Sequence, residues 1–452
     1  MRAFVLVWIG QFISLMGTAM TQFGLTIWAY QLTGQATALA LVGFFNFAPT
    51  VIFSPIAGAL VDRWNRKLVM MLSDLGAGAA TIFIFIMYAS GNLQMWHLYV
   101  AGFVTGVFQS FQFPAYSASI SLMLKKEDYA RAGGMMMLAE AAPAIVAPVL
   151  AGFLLGTIDL SGIILIDIIT FIVALAALFV VYIPQPPATE AGRQGKGSLL
   201  AESAFGFRYI FARPSLLGLQ MVFFSVNLIA SFTNVLVAPM VLARTNQDET
   251  LLGFVVSAIG VGGVIGAAIL SAWGGPKRRV HGVLIGNALG SLLGIVLMGV
   301  GNSIFIWVTA AFFFSFFIPF INGSNQAIWQ AKVAPDVQGR VFAARRLIAQ
   351  ITVPVALLLT GPLADQVFEP AMREGGVWTS AFSWLVGTGP GAGMALMFIL
   401  FGLIGVMVGF GGYLFPAIRN AEDLLPDHKM DAMPAPANAA DTTGEPAPQQ
   451  AG

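Results

Sequence analysis

The chain has 452 residues, 58% of them hydrophobic and only 10% charged, with a mean hydropathy of +0.82. A soluble domain carries roughly 25% charged residues, so the composition argues against a soluble enzyme. The net charge of +1 is spread over many short segments rather than gathered in one basic patch, which leaves no nucleic-acid footprint. Cysteine is absent, and His97, His281 and His428 stand in widely separated segments. Disulfides, thiolate chemistry, metal centres and other cofactors therefore have no support.

A hydrocarbon core about 30 Å thick requires about 20 apolar helical residues per crossing. In chain order the apolar stretches cover residues 4–30, 37–61, 68–89, 97–121, 133–156, 162–184, 215–242, 251–273, 281–300, 304–330, 341–364 and 393–416. These twelve stretches are numbered spans 1 to 12. They are too long for barrel strands and do not alternate with period two, so each is expected to be a transmembrane helix. The first is also far longer than the ~7 to 15 apolar residues of a signal peptide, which makes it a span.

The basic residues fall into every second gap. One side receives Arg2, then Arg63, Arg66 and Lys67, then Lys125, Lys126 and Arg131, then Arg193, Lys196, Arg208 and Arg213. The same side receives Lys277, Arg278 and Arg279, then Lys332, Arg340, Arg345 and Arg346, and finally Arg419 and Lys429, which leaves only Arg244 and Arg373 for the other. The positive-inside rule then expects both termini to be cytoplasmic.

Spans 6 and 7 are separated by a segment rich in Pro184, Pro186, Pro187, Gly192, Gly195 and Gly197. The expected organisation is a six-helix half over 1–184, a cytoplasmic linker over 185–214, a second six-helix half over 215–418 and a disordered cytoplasmic tail over 419–452. Within the linker, apolar residues between Leu200 and Phe211 lie beside Arg208 and Arg213, as in a short helix lying on the membrane surface or the start of span 7. The tail is rich in Ala, Pro, Asp and Glu, a disordered composition. An internal repeat supports the two halves. The basic gap after span 2, from Gly58 to Lys67, has its counterpart after span 8, from Leu270 to Arg279, and Arg131 followed by Pro148 has its counterpart in Arg340 followed by Pro354.

The gap after span 2 holds Gly58, Asp62, Arg63, Arg66 and Lys67, and on these residues the chain resembles the major facilitator superfamily over essentially all of 1–418. The family's glycine before the last basic pair is here Asn65, a residue that tolerates the left-handed conformation of a tight turn. The resemblance implies an all-α polytopic fold of two pseudo-symmetric six-helix halves and a conformational gate at Gly58, Asp62, Arg63, Arg66 and Lys67. A carboxylate among cations can itself form a latch between helices, whereas a merely topology-setting loop accounts for Arg66 and Lys67 but not for Asp62. Span 5 resembles the family's antiporter motif at Pro148 and Gly152, with Ala147 and Ala151 in place of glycines; ordinary small-residue packing gives the same pattern. The segments Asp167–Phe171, Gly206–Pro214 and Gly339–Val341 look most like the drug-efflux branch that contains macrolide exporters and the enterobactin exporter.

Four carboxylates lie inside or at the ends of spans: Asp74, Glu140, Asp167 and Asp365. A charge at the bilayer centre costs ~2.5 to 3.5 kcal/mol on insertion scales, so intramembrane acids are functional candidates. Glu140 and Asp74 are the proton-coupling candidates, with a loop-latch or structural ion-pair role also open for Asp74. Asp167 and Asp365 fall nearer the outer end and are expected in packing or helix-end roles. The resembled fold lines its cavity with spans 1, 4, 7 and 10, and those spans carry Gln11, Ser14, Thr18 and Gln22; Gln109, Gln112 and Tyr116; Gln220, Asn227 and Asn234; and Asn322, Asn325, Gln326, Trp329 and Gln330. Stripes of this kind predict a polar, uncharged cavity, although each residue alone is also interhelical glue. Any of the 37 phenylalanines and 20 methionines that reach it would form an adaptable apolar wall.

No phosphate-binding glycine loop is present, so the expected energy source is a gradient. The expectation is a monomeric, proton-coupled exporter of amphipathic small molecules in a bacterial inner membrane, with lipid, cargo and the proton gradient as its partners. A lysophospholipid or other metabolite carrier is the alternative within the class, and a non-transporting membrane sensor the alternative outside it.

Overall fold

A computed structural model describes residues 2–61, 64–123, 129–182, 206–333 and 338–424. Every regular element among them is helical. Span 1 runs Arg2–Thr33, span 2 Ala36–Val61, span 3 Arg66–Ala89 and span 4 Met95–Met123. Spans 5 and 6 form one helical run, Tyr129–Val180, bent where Asp159 takes φ 59°. A left-handed φ is costly for a residue with a Cβ, and Asp159 is tied there by the Tyr88 hydroxyl at 2.9 Å. The loop expected between residues 156 and 162 is thus a kink. Span 7 runs Pro214–Arg244 and span 8 Glu249–Trp273. Span 9 contains a π turn at Ser291–Val296, and span 10 is broken at Phe317, just before Pro319. Span 11 is assembled from Gln338–Gln350, Thr352–Pro362, a π turn at Leu363–Phe368 and Glu369–Met372; span 12 runs Ala392–Gly411.

Local sequence sets several of these ends. Asp248 caps span 8 by accepting from the Leu251 amide at 2.9 Å, and Gly274 closes it at φ 80°, the expected pairing of an acidic N-cap with a left-handed glycine. Asn65 accepts from the Leu68 amide at 3.2 Å with φ −65°. It replaces glycine as the N-cap of span 3, not as the left-handed turn residue expected from sequence.

Two segments near the basic end pack against the second half. The helix over 206–211 buries Ile210 completely against Leu216, Trp329, Val333, Val341 and Ala344, so it is docked on the second half. The tail does not become irregular at 419. Ala421–Leu424 forms a helical turn whose Glu422 carboxylate accepts from the Val280 amide at 3.0 Å, whose Glu422 carbonyl accepts from Lys332 Nζ, and whose Asp423 meets Arg278 at 2.6 Å. The acids of an apparently disordered composition find the basic N-terminus of span 9.

Arg244, one of the two basic residues on the sparsely charged side, has a packing explanation. Its guanidinium donates to Gly301 O at 3.1 Å and to Val386 O at 2.7 Å, joining the end of span 7 to the span 9–10 turn and to the short helix Thr379–Val386. Replacing Arg244 with Ala leaves both carbonyls without this donor and is expected to cost about 2–3 kcal/mol. Thermal unfolding of the purified protein followed by tryptophan fluorescence should show a lowered midpoint; an unchanged midpoint refutes the assignment.

The two ends of the bundle are packed differently. Toward the end remote from the basic loops, one hydrophobic cluster takes residues from both halves, including Tyr30, Ala36, Ala151, Met240, Leu252 and Met372. Toward the basic end the clusters among the described residues stay within one half each: Val7, Val69, Met70, Ala115 and Leu178 in the first, Leu219, Val283, Leu284 and Ile328 in the second.

Candidate functional site

Between the halves lies a branched chamber built around span 1. One branch, of about 310 Å³, is held within the first half by Thr18, Thr21, Gln22, Asn46, Thr81, Thr105 and Asp167, with Leu25, Leu39, Val42 and Leu98. A second, of about 430 Å³, runs between Phe23, Gly43, Ser231, Asn234, Val256 and Leu357. The third, of about 1030 Å³, is bounded by Gln22, Pro143, Pro148, Asn234, Ile259, Gly263 and Ser315. Thr26 lines all three, so the compartments converge on the C-terminal third of span 1. Hydroxyls and amides interrupt an aliphatic wall.

Of the polar residues singled out in the sequence, Gln22 and Asn234 line this chamber, and so does Thr18. Gln11 and Gln112 instead converge on Asp74. Gln11 Nε2 donates to one carboxylate oxygen at 3.0 Å and Gln112 Nε2 to the other at 2.8 Å, joining spans 1, 3 and 4. Asn227 donates to Phe223 O in its own helix, Asn325 accepts from Trp329 Nε1, and Gln326 accepts from Arg345. Gln220 is fully buried, Tyr116 and Ser14 are half-buried, and Gln109 and Asn322 are exposed. Of the phenylalanines and methionines, the residues lining these branches include Phe23 and no methionine.

The expected uncharged cavity is corrected as well. Asp167, expected in a packing role, is 2% exposed, lines the first-half branch and accepts from Thr18 Oγ1 at 3.0 Å. Asp365 does end a helix, but a helix of the other half. Its carboxylate accepts from the Ala36 and Thr37 amides at 3.0 and 2.7 Å and from Thr37 Oγ1 at 2.5 Å. A span 11 acid thereby caps the N-terminus of span 2, where helical amides are unsatisfied and the dipole favours a negative charge.

This bond is one of several that close the end remote from the basic loops. Gln31 donates to Glu249 at 2.7 Å, Thr250 to Gly152 O at 3.4 Å, and Ser257 to Ile145 O. A Cβ on Gly152 would meet Glu249 O at 2.7 Å and one on Gly253 would meet Pro148 O at 2.6 Å. Pro148 and Gly152 are therefore at a seam where spans 5 and 8 touch backbone to backbone, which only small residues permit.

At the gate after span 2, Gly58 lies in the span 2 helix and Arg66 opens span 3. Lys67 Nζ donates to Phe179 O at 2.8 Å and Val181 O at 2.7 Å, capping span 6. Asp62 and Arg63 lie outside the described residues, as does the side chain of Glu140, which is carried on the span 5 helix. Arg345, counted from sequence among the basic residues of one face and lying within the 341–364 stretch, is 9% exposed, with its guanidinium 5.3 Å from the Trp329 ring and 5.4 Å from the Phe223 ring. Its signal was the unbroken helical pattern through Arg345 and Arg346 into span 11.

Comparisons with known proteins agree with this architecture. The family model for the Major Facilitator Superfamily matches residues 7–357. Macrolide efflux protein A of Streptococcus pyogenes is 25% identical over 368 residues, 80% of this chain and 90% of that protein. The enterobactin exporter EntS of Shigella flexneri is 25% identical over 300 residues, 66% of this chain and 69% of that protein. Among solved structures, a bacterial homologue of the human lysosomal transporter Spinster, inward-facing and unoccupied, superposes with a TM-score of 0.64 at 15% identity, covering 90% of this chain and 96% of that one. An inward-facing bacterial homologue of the iron transporter ferroportin gives 0.65 at 13% identity, with 91% and 98% covered.

Proposed function

The chain belongs to the Major Facilitator Superfamily and is a membrane transporter, and on that premise we propose that it exports amphipathic small molecules against proton entry by alternating access. The observation that carries this reading is the unequal closure of the bundle among the described residues: one apolar cluster and a set of inter-half hydrogen bonds seal the end remote from the basic loops, while the clusters described at the basic end stay separate. With the basic loops cytoplasmic, as the positive-inside rule has it, this is the inward-facing member of the cycle, ready to load from the cytoplasm or the inner leaflet. The halves 1–184 and 215–418 rock about the chamber, and the loop of Gly58, Asp62, Arg63, Arg66 and Lys67 closes the cytoplasmic end in the alternate state. The protein works as a monomer in a bacterial inner membrane with cytoplasmic termini, since spans of a single chain enclose the chamber.

Export is supported by the efflux relatives, and amphipathic cargo by the mixed lining of the chamber. Asp74, held between spans 1, 3 and 4, and Glu140 on span 5 are the carboxylates assigned to proton transfer; macrolides are the first cargo to try, because the relative named for them matches the greater length. Everted vesicles containing the protein should accumulate a radiolabelled macrolide only while a pH gradient is maintained, and Glu140→Gln should lower that accumulation tenfold or more at equal expression. Accumulation that survives collapse of the gradient, or that Glu140→Gln leaves intact, rejects the corresponding part of the proposal.

A further inference from the structure

The first-half branch of the chamber contains a buried carboxyl group with no basic residue among those that line it. Asp167 is 2% exposed; its Oδ1 accepts from Thr18, while Oδ2 has no hydrogen-bond partner. It is the sole ionisable side chain among the residues lining that branch, which otherwise come from spans 1 to 4 and are hydroxyl, amide or aliphatic. The position is rigid, because a Cβ on Gly17 would come within 3.0 Å of Asp167 Cα and closer still to Thr170 Oγ1, so spans 1 and 6 are pressed together beside the carboxylate. A buried carboxylate without a counter-charge costs several kcal/mol, and a cavity of about 310 Å³ adjoins the residue that carries it.

We propose that the cavity formed by Asp167, Thr18, Thr21, Asn46, Thr81 and Thr105 is a binding site for a monovalent cationic group. The cation comes from one of two sources, a positively charged cargo or the coupling ion, and Asp167 is its counter-charge in both. The inference rests on the chamber being the transport path, yet it is read by binding alone, so failed export and a failed site give different results.

The full chain in lipid nanodiscs is titrated with tetraphenylphosphonium, a permanent cation, and with neutral triphenylphosphine oxide. Sodium-dependent tryptophan fluorescence and proton release on probe binding are recorded on the same samples. Asp167→Asn, nearly isosteric, should weaken tetraphenylphosphonium binding tenfold or more while leaving the neutral probe unchanged, which identifies cargo as the source. Loss of the sodium response or of proton release, with probe binding kept, identifies the coupling ion. All three responses unchanged overturn the site. Should Asp167→Asn also lose the neutral probe, the wild-type chain decides: tetraphenylphosphonium must bind at least tenfold more tightly than the neutral oxide, and equal affinity overturns the proposal.

Discussion

Replacing Asp365 with alanine should open the sealed end of the bundle. The carboxylate accepts three hydrogen bonds from the first turn of span 2, two of them from backbone amides that no residue of span 2 itself satisfies in this way. Hydrogen bonds to a charged acceptor contribute about 1.5–3 kcal/mol each when not replaced by water. In the opposite conformation water replaces them, so the net bias is a fraction of that sum. A bias of about 3 kcal/mol would shift the equilibrium between the two states roughly a hundredfold. The π turn at Leu363–Phe368 carries Asp365, and Gly361 one turn earlier lies so close to Thr37 that a Cβ there would meet its Cα at 2.3 Å, so the latch works at backbone contact.

The absence of native cysteine makes the measurement direct. Gln35 and Val377 are exposed at this end on opposite halves, and spin labels on cysteines placed there report its separation. Wild type should give mainly a short-distance population, Asp365→Ala mainly a longer one, and Asp365→Asn, which keeps an acceptor oxygen but not the charge, a mixture. Identical distributions in the three proteins would show that the bond accompanies closure without stabilising it.

How much of this was legible beforehand depended on the range of the interaction. Helix content, span positions and the basic face follow from hydropathy and charge along the chain, because a bilayer imposes the same demand on every segment independently. The seam at Pro148 and Gly152 was legible as small-residue chemistry, though not its partner in Gly253. Asp365 was legible as a helix-end acid, but the helix it serves begins at Ala36, on the other half of the chain, and periodicity within span 11 holds no trace of that pairing. Polar stripes were legible as faces. That Gln22 lines the chamber while Gln11, on the same span, turns to Asp74 depends on how spans 1, 3 and 4 cross. The docked turn at Ala421–Leu424 was hidden in an acidic composition whose partners, Arg278 and Lys332, lie in distant gaps.

The Asp74 site offers the sharpest separation of charge from structure. Both oxygens of Asp74 are engaged by amide donors from different spans, and Gln112 Oε1 has no hydrogen-bond partner. In Asp74→Asn the new amide can keep Gln11 as donor to its oxygen, while Gln112 turns over and presents its unused oxygen to the new NH2 group. The three spans then remain tied, and what is lost is the charge and the long 3.4 Å hydrogen bond from Gln112 to Gln11. The melting midpoint should consequently stay close to that of wild type, whereas Asp74→Leu, which offers no polar atom to either glutamine, should lower it. If Asp74 carries the coupling proton, Asp74→Asn should reduce gradient-driven export at least tenfold, and energy-independent exchange of cargo across the same vesicles should persist, since exchange needs the rocking motion but no net proton transfer. Full export by a stably folded Asp74→Asn protein would make Asp74 a structural bridge and leave proton transfer to Glu140 or Asp167.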